Sequence, residues 1–456
     1  MNKIKLFLVI GIGILFNSCE SFTEVSMPQT QLTSVSVFED ASTANAALSD
    51  IYSRIRDNGV ASGSQTGVTY LMGNYSDDLQ FFGTNTNFEQ FNKHTLIASN
   101  SYVLSLWTYT YGEIYAVNAL LEGMKESVAI KGEQKDRLIG EALFLRAYLH
   151  FYLVNLYSDV PYIKTTDYKK NSVITKLPKT EVYANILLDL KEAELLLPDN
   201  YVSADRVRPN RGTVNSLLAR VYLYTQEWED CQKKATAVIE NTLYVWEADL
   251  SGVFLKGSSS IIWSLHSGAA GQNTRDARSF AFSSGPPSKP ALSPELYEAF
   301  ETGDLRKSVW IKKIENVSGT WHHAFKYKKS STTATSEEYT ILFRLAEQYL
   351  IRAEARTHLG DYVGARADLN KVRNRAGLPN TEADNMESLL DAIIQERRVE
   401  LFTEQGHRWF DLRRTDRASA ALSNLKPGWA ETDSWLPIPE NELLLNDNLL
   451  PQNPGY

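Results

Sequence analysis

A helix pair that occurs twice constrains this chain more than any other feature. Leu217, Ala219, Val221, Trp228, Cys231 and Ala235 fall on Ile351, Ala353, Ala355, Tyr362, Ala365 and Leu369 without a gap, matching in size and polarity. Each copy has small residues inside its first helix, an aromatic opening the second, and small residues where the two cross. Close-packed helix-turn-helix units need that pattern, and such units must stack on neighbours because one alone cannot bury its apolar face.

The unit resembles the tetratricopeptide repeat of ~34 residues. Further helices are marked by apolar residues at three-and-four spacing: Ala44 to Ile55, Leu104 to Leu121, Leu138 to Leu156 and Val182 to Leu197. The spacing predicts a mainly α chain, a tetratricopeptide-like solenoid of about four helix pairs over 40–125, 133–197, 212–240 and 340–376. Residues 61–100, rich in Gly, Ser, Asn and Thr, read as a long functional loop. From 244 to 340 helical periodicity gives way to short alternating runs, Ser260–Leu265 and His323–Lys328, among turns such as Gly285-Pro286-Pro287. That stretch reads as a loop-rich lobe with short strands.

At the N-terminus Lys3 and Lys5 precede an apolar run from Leu6 to Phe16. It is shorter than the ~20 residues a spanning helix needs and suits a secretory signal. Ser18-Cys19 resembles a lipoprotein lipobox, which makes Cys19 the lipidation candidate, and the polar stretch 20–36 suits a tether. Cys231, the other cysteine, then has no disulfide partner and reads as a small buried hydrophobe. The resulting plan is signal peptide 1–19, tether 20–36, N-terminal helical part 37–243, loop-rich lobe 244–340 and C-terminal helical part 341–456. With 47 Lys plus Arg against 55 Asp plus Glu, a net charge of −8 and no basic stripe, nucleic acid is not an expected partner.

The run Gln395–Arg414 mixes Arg397, Arg398, Glu400, Glu404, Arg408, Asp411 and Arg413 with Trp409, Phe410 and Leu412. A helix is predicted from about Met386 to Gln405, with Gly406 as its left-handed C-terminal cap. Ions so interleaved with large apolar groups must be partly buried and paired. They read as an active site or as a structural network that locks a helix corner, and the lack of a Ser, Cys or His pair favours the network.

The seven histidines are scattered without HExxH spacing or a Cys cluster, and neither G-x-S-x-G nor a P-loop occurs, so no metal or cofactor is expected. A glycoside hydrolase needs only two carboxylates; Asp77-Asp78, Glu337-Glu338 and Asp304 are the nominees for that alternative. Sugar binding instead needs flat aromatics beside hydrogen-bonding side chains. Two stretches hold both: Tyr75, Asp77, Asp78, Phe81 and Phe82, and then Trp263, His266, Arg275, Trp321 and His322. Trp321, in a polar Gly-Thr-Trp-His-His setting, leads as a platform. Trp263 lies in an apolar run that also suits the core, and Asp77 and Asp78 also suit turn caps.

Taken in order, Gly140-Glu141-Ala142-Leu143-Phe144-Leu145-Arg146-Ala147-Tyr148, Asp159-Val160-Pro161, Leu218-Ala219-Arg220-Val221-Tyr222, Gly303-Asp304-Leu305-Arg306, Arg344–Ala355, the charged run, Leu436-Pro437-Ile438-Pro439 and the closing Pro451–Tyr456 resemble the SusD/RagB family of Bacteroidetes outer-membrane lipoproteins. The resemblance implies four tetratricopeptide-like pairs under a variable lobe, no catalysis, and a lid role over a SusC-like TonB-dependent transporter. It implies a nutrient ligand, usually a glycan and sometimes a peptide. Ligand loops vary within the family, so no binding residue is carried over from it.

Overall fold

The computed structural model describes residues 37–456; Cys19, the signal and the tether lie outside the described residues. Helix α1 (Ala41–Asp57) starts where the Asp40 side chain accepts the Ser42 and Thr43 N–H groups, a conventional N-cap. The stretch expected as a long loop contains two helices instead, α2 (Val68–Tyr75) and α3 (Thr86–Lys93), with strand β1 (Leu79–Gln80) between them. Asn85 caps α3, and Phe88 and Phe91 bury its inner face. Each is only two turns long, too short for its periodicity to stand out from polar, Gly-rich surroundings.

Two long helices follow, α4 (Ser101–Glu126) and α5 (Gly132–Tyr157), then a short α6 (Tyr168–Asn171) and α7 (Lys179–Leu196). Helix α8 (Arg211–Thr225) opens on a capping box between Asn210 and Thr213, and α9 (Trp228–Ile239) returns along it. The crossing is close enough for the Cys231 Sγ to reach the Ala219 carbonyl at 3.4 Å. Helix α5 packs on α4 and α7, and α8 packs on α7 and α9. The stack is therefore continuous.

Strand β2 (Ile261–Leu265) opens the mostly non-helical stretch. It is followed by α10 (Arg275–Phe280), β3 (Ala291–Leu292), α11 (Pro294–Glu298), α12 (Leu305–Val309), and the hairpin of β4 (Ile311–Asn316) and β5 (Gly319–Ala324). The strand expected at His323–Lys328 ends at Ala324. Beyond it Lys326 turns inward, its ammonium donating to the carbonyls of Glu400 and Phe402 and to Glu404. Strand β6 (Thr340–Arg344) pairs antiparallel with β2, which draws the two ends of this stretch together and feeds directly into α13 (Leu345–His358).

Helices α13 and α14 (Tyr362–Arg375) form the second copy of the repeated unit, and α13 packs directly on α9 of the first. Helix α15 spans Met386–Leu401, ending short of the predicted Gln405. Thr403, Gln405 and Gly406 all have positive φ, so the chain turns there, and Gly406 precedes α16 (His407–Arg414). A Cβ on Gly406 would press at 3.1 Å on the Cβ of Met72, a close approach that favours glycine. The chain closes with α17 (Ala418–Leu422) and α18 (Glu440–Leu445).

Candidate ligand-binding site

The charged run at α15 and α16 is a buried ion network. Arg306 binds Asp304, Glu396 and Glu400; Arg344 binds Glu400 and Glu404; Arg397 and Arg414 share Asp411. Lys326 adds a contact to Glu404 at 2.5 Å. These pairs tie the last helices to β6 and to the stretch around α12.

The same network corrects the first sugar-binding stretch. Asp77 is buried and held by both Arg408 and Arg398, and Asp78 is buried against Arg398 at 3.1 Å. Burial alone would raise the Asp77 carboxyl, but the two guanidiniums outweigh it and hold it below the usual carboxylate range. Tyr75 is also fully buried, its hydroxyl donating to the Asp433 carbonyl at 2.9 Å. None of the three is open to a ligand. Trp263 is corrected likewise: it is buried among Phe144, Tyr148 and Phe343, with its indole N–H on the Val207 carbonyl. An apolar run places its aromatic in the core because burial of so large a side chain outweighs any surface role.

The remaining aromatics lie on two stretches that one loop links. Antiparallel pairing of β1 with β3 sets Leu79 opposite Leu292 and brings the turn after β1 beside the segment before β3. A Cβ on Gly83 would lie 3.3 Å from the Ser288 carbonyl oxygen, so the two backbones run close together. Phe81 packs partly inward on Phe88, whereas Phe82 is 40% exposed. From the other side Trp321, half-buried on β5, lies against Gly285: a Cβ there would fall 2.1 Å from its six-membered ring. Gly319, at φ 147°, lines the far edge of the indole, and a Cβ there would lie 3.2 Å away. Residues 285–288 therefore approach Trp321 at their first residue and Gly83, next to Phe82, at their last, with exposed Gln80, Thr84 and Asn85 near Phe82 in the chain.

His322 points away from this patch, because side chains alternate along a strand; it stacks on Tyr297 at 3.7 Å. His266 and Arg275 belong to a different place, the rim and flank of an open cleft of about 930 Å³. Helix α1 supplies one wall with Tyr52 and Arg56; Arg137, Arg208 and Leu265 supply others. At its base Glu141, fully buried, accepts from the Tyr52 hydroxyl at 2.9 Å and is clasped by the Arg208 guanidinium. Arg275 binds Asp57 at 2.7 Å, and Asp57 also holds Arg56.

Residues 297–456 match the family model described as "SusD family", and residues 23–223 match the model described as "Starch-binding associating with outer membrane". The chain belongs to the SusD family. Its curated relatives include SusD-like protein P2 of Formosa agariphila, 25% identical over the full length of both chains. Among solved structures, a SusD superfamily protein from Bacteroides vulgatus is 20% identical with a TM-score of 0.80, covering 91% of this chain and 99% of its own. A laminarin-binding SusD-like protein is 26% identical with a TM-score of 0.75, again covering 91% and 99%.

In this SusD family chain the cleft residues Tyr52, Arg56, Arg137 and Arg208 escaped sequence reasoning. Asn45, Ser49, Tyr52, Ser53 and Arg56 form one polar stripe at helical spacing along α1, which reads as an ordinary solvent face. Only the fold shows that a wall stands opposite it.

Proposed function

We propose that this SusD family chain is a non-enzymatic, lipid-anchored surface protein that captures a glycan on the Phe82–Trp321 patch and delivers it to a TonB-dependent transporter in the outer membrane. One observation carries the reading: a half-buried Trp321 is propped on Gly285 and Gly319, and the segment from Gly285 to Ser288 leads from it to the turn that carries exposed Phe82, Gln80, Thr84 and Asn85. Flat aromatic faces match the C–H faces of sugar rings, and side-chain amides and hydroxyls match their rims. The laminarin-binding relative supports a glycan ligand. The description of the matched model supports the outer-membrane setting, and the sequence up to Cys19 supports the anchor.

The absence of hydrolysis is supported by the state of four of the five carboxylates nominated for it; the fifth, Glu337, is partly exposed and pairs with Lys329 at 2.9 Å. Asp77, Asp78 and Asp304 are all buried against arginines, and Glu338 is buried and spent on the backbone N–H groups of Lys328 and Lys329. None of these four is free to face a second carboxyl across a sugar bond. The test is affinity electrophoresis of the full chain on a panel of polysaccharides that includes laminarin and starch. Retardation by at least one polysaccharide, and its loss in Trp321→Ala, is expected. Binding of peptides with no retardation by any glycan overturns the ligand class, and release of reducing sugar overturns the non-enzymatic claim.

A further inference from the structure

The open cleft carries an excess of positive charge in a chain whose net charge is −8. Three guanidiniums line it, from Arg56, Arg137 and Arg208, against two carboxylates that they bind, Glu141 and Asp57; Arg275, outside the lining, also binds Asp57. Asp205 and Lys256 add one charge of each sign near His266, so the excess persists.

Hydrogen bonding does not exhaust these donors. Arg208 spends Nε and Nη2 on Glu141, and Arg56 spends Nε and Nη2 on Asp57; among the described residues the Nη1 of each has no acceptor. Arg137 is the loosest, reaching Glu141 at 3.4 Å and Asn45 at 3.2 Å. The Tyr52 ring lies under the Arg208 guanidinium at 5.2 Å, and its hydroxyl is held on Glu141. Glu141 thus fixes Tyr52 and Arg208 from below while Arg56 and Arg137 face the opening with spare N–H groups. A preformed concavity lined by convergent, half-buried guanidiniums beside Val207 and Leu265 suits an anionic group, because the guanidinium fork matches a carboxylate or sulfate.

We propose that this cleft is a subsite for an anionic sugar residue, a uronate carboxylate or a sulfate ester, bound by Arg56 and Arg137 over the Tyr52–Arg208–Glu141 base. The proposal rests on the glycan-binding reading above and adds the charge class of the ligand. Van der Waals contact with Tyr52, Val207 and Leu265 holds the ring, and the guanidiniums select its charge.

The experiment is calorimetric titration of the full chain, in detergent, with oligogalacturonate, the same oligosaccharide methyl-esterified, and a sulfated carrageenan oligosaccharide. At least one anionic sugar is expected to bind tenfold or more tighter than the uncharged ester, and which one binds identifies carboxylate or sulfate. The preference is expected to shrink severalfold in Arg56→Gln/Arg137→Gln and to weaken as salt is raised. Circular dichroism of that variant verifies its fold, and Arg56→Lys/Arg137→Lys, which keeps charge but loses the fork, is expected to restore part of the preference. Equal affinity for acid and ester, or a preference the double variant leaves intact, overturns the anionic subsite while leaving glycan capture standing. Binding of carboxylate-terminated peptides with no sugar binding overturns both.

Discussion

Arg408 clasps Asp77 through two parallel hydrogen bonds, Nε to Oδ1 and Nη2 to Oδ2, both at 2.7 Å. The pair fastens α16 to the turn after α2, and Arg398 reinforces it from α15. A residue nominated for ligand contact is thereby a structural anchor. Asp77→Ala leaves two guanidiniums facing a buried gap, and removing one partner of such a pair costs about 3–5 kcal/mol. Urea denaturation is expected to show that loss, with glycan affinity of the folded fraction unchanged.

The glycines under Trp321 offer a test that keeps the indole. Gly285→Val places side-chain atoms where the ring now lies, since even a Cβ would fall 2.1 Å from it. The ring must shift, and glycan affinity is expected to fall at least tenfold with the tryptophan still present. Quantitative affinity electrophoresis reads the loss, and a change in tryptophan fluorescence reports the displaced ring.

Acid stability follows from the network. Burial pushes Glu400 up, but Arg375, Arg344 and Arg306 outweigh it and hold it well below the usual range; Glu404 is likewise lowered by Arg344 and Lys326 against its burial. Folded values below the unfolded one mean that this stabilisation is full above about pH 4.3 and is lost as pH falls below it. Urea midpoints are expected to drop steeply between pH 5 and 3. In Glu400→Gln, which is less stable at pH 7, that drop is expected to be shallower.

Glu113 on α4 runs the opposite way. It is buried, neither carboxylate oxygen has a hydrogen-bond partner among the described residues, and burial lifts it well above the usual range, with Arg54 only partly offsetting this. A raised folded value is a cost that appears above the unfolded pKa and vanishes below it. Glu113→Gln cannot ionise, so it escapes that proton-linked cost while keeping the shape, and is expected to be more stable than the unsubstituted protein at pH 7.5 by on the order of 1 kcal/mol or more. The gain is expected to disappear below pH 4, as read by urea denaturation.

What the sequence determined by itself is local and periodic. The spacing of Leu138, Ala142, Leu145, Leu149 and Tyr152 is sufficient to specify α5, and the match between Trp228 and Tyr362 is sufficient to specify a repeated helix pair. Crowding of opposite charges around Trp409 and Phe410 likewise required burial and pairing, though not the partners. Tertiary structure decided everything that depends on what lies opposite a residue. Tyr75 and Phe82, seven positions apart in similar polar surroundings, differ because α2 turns the first into the core while the β1–β3 pairing leaves the second outside. Arg56 looked like a solvated charge on a polar stripe until the fold set Arg208 and Leu265 across from it. Periodicity records which face of an element is apolar, and a binding site forms where polar faces of distant elements meet, which no local pattern encodes.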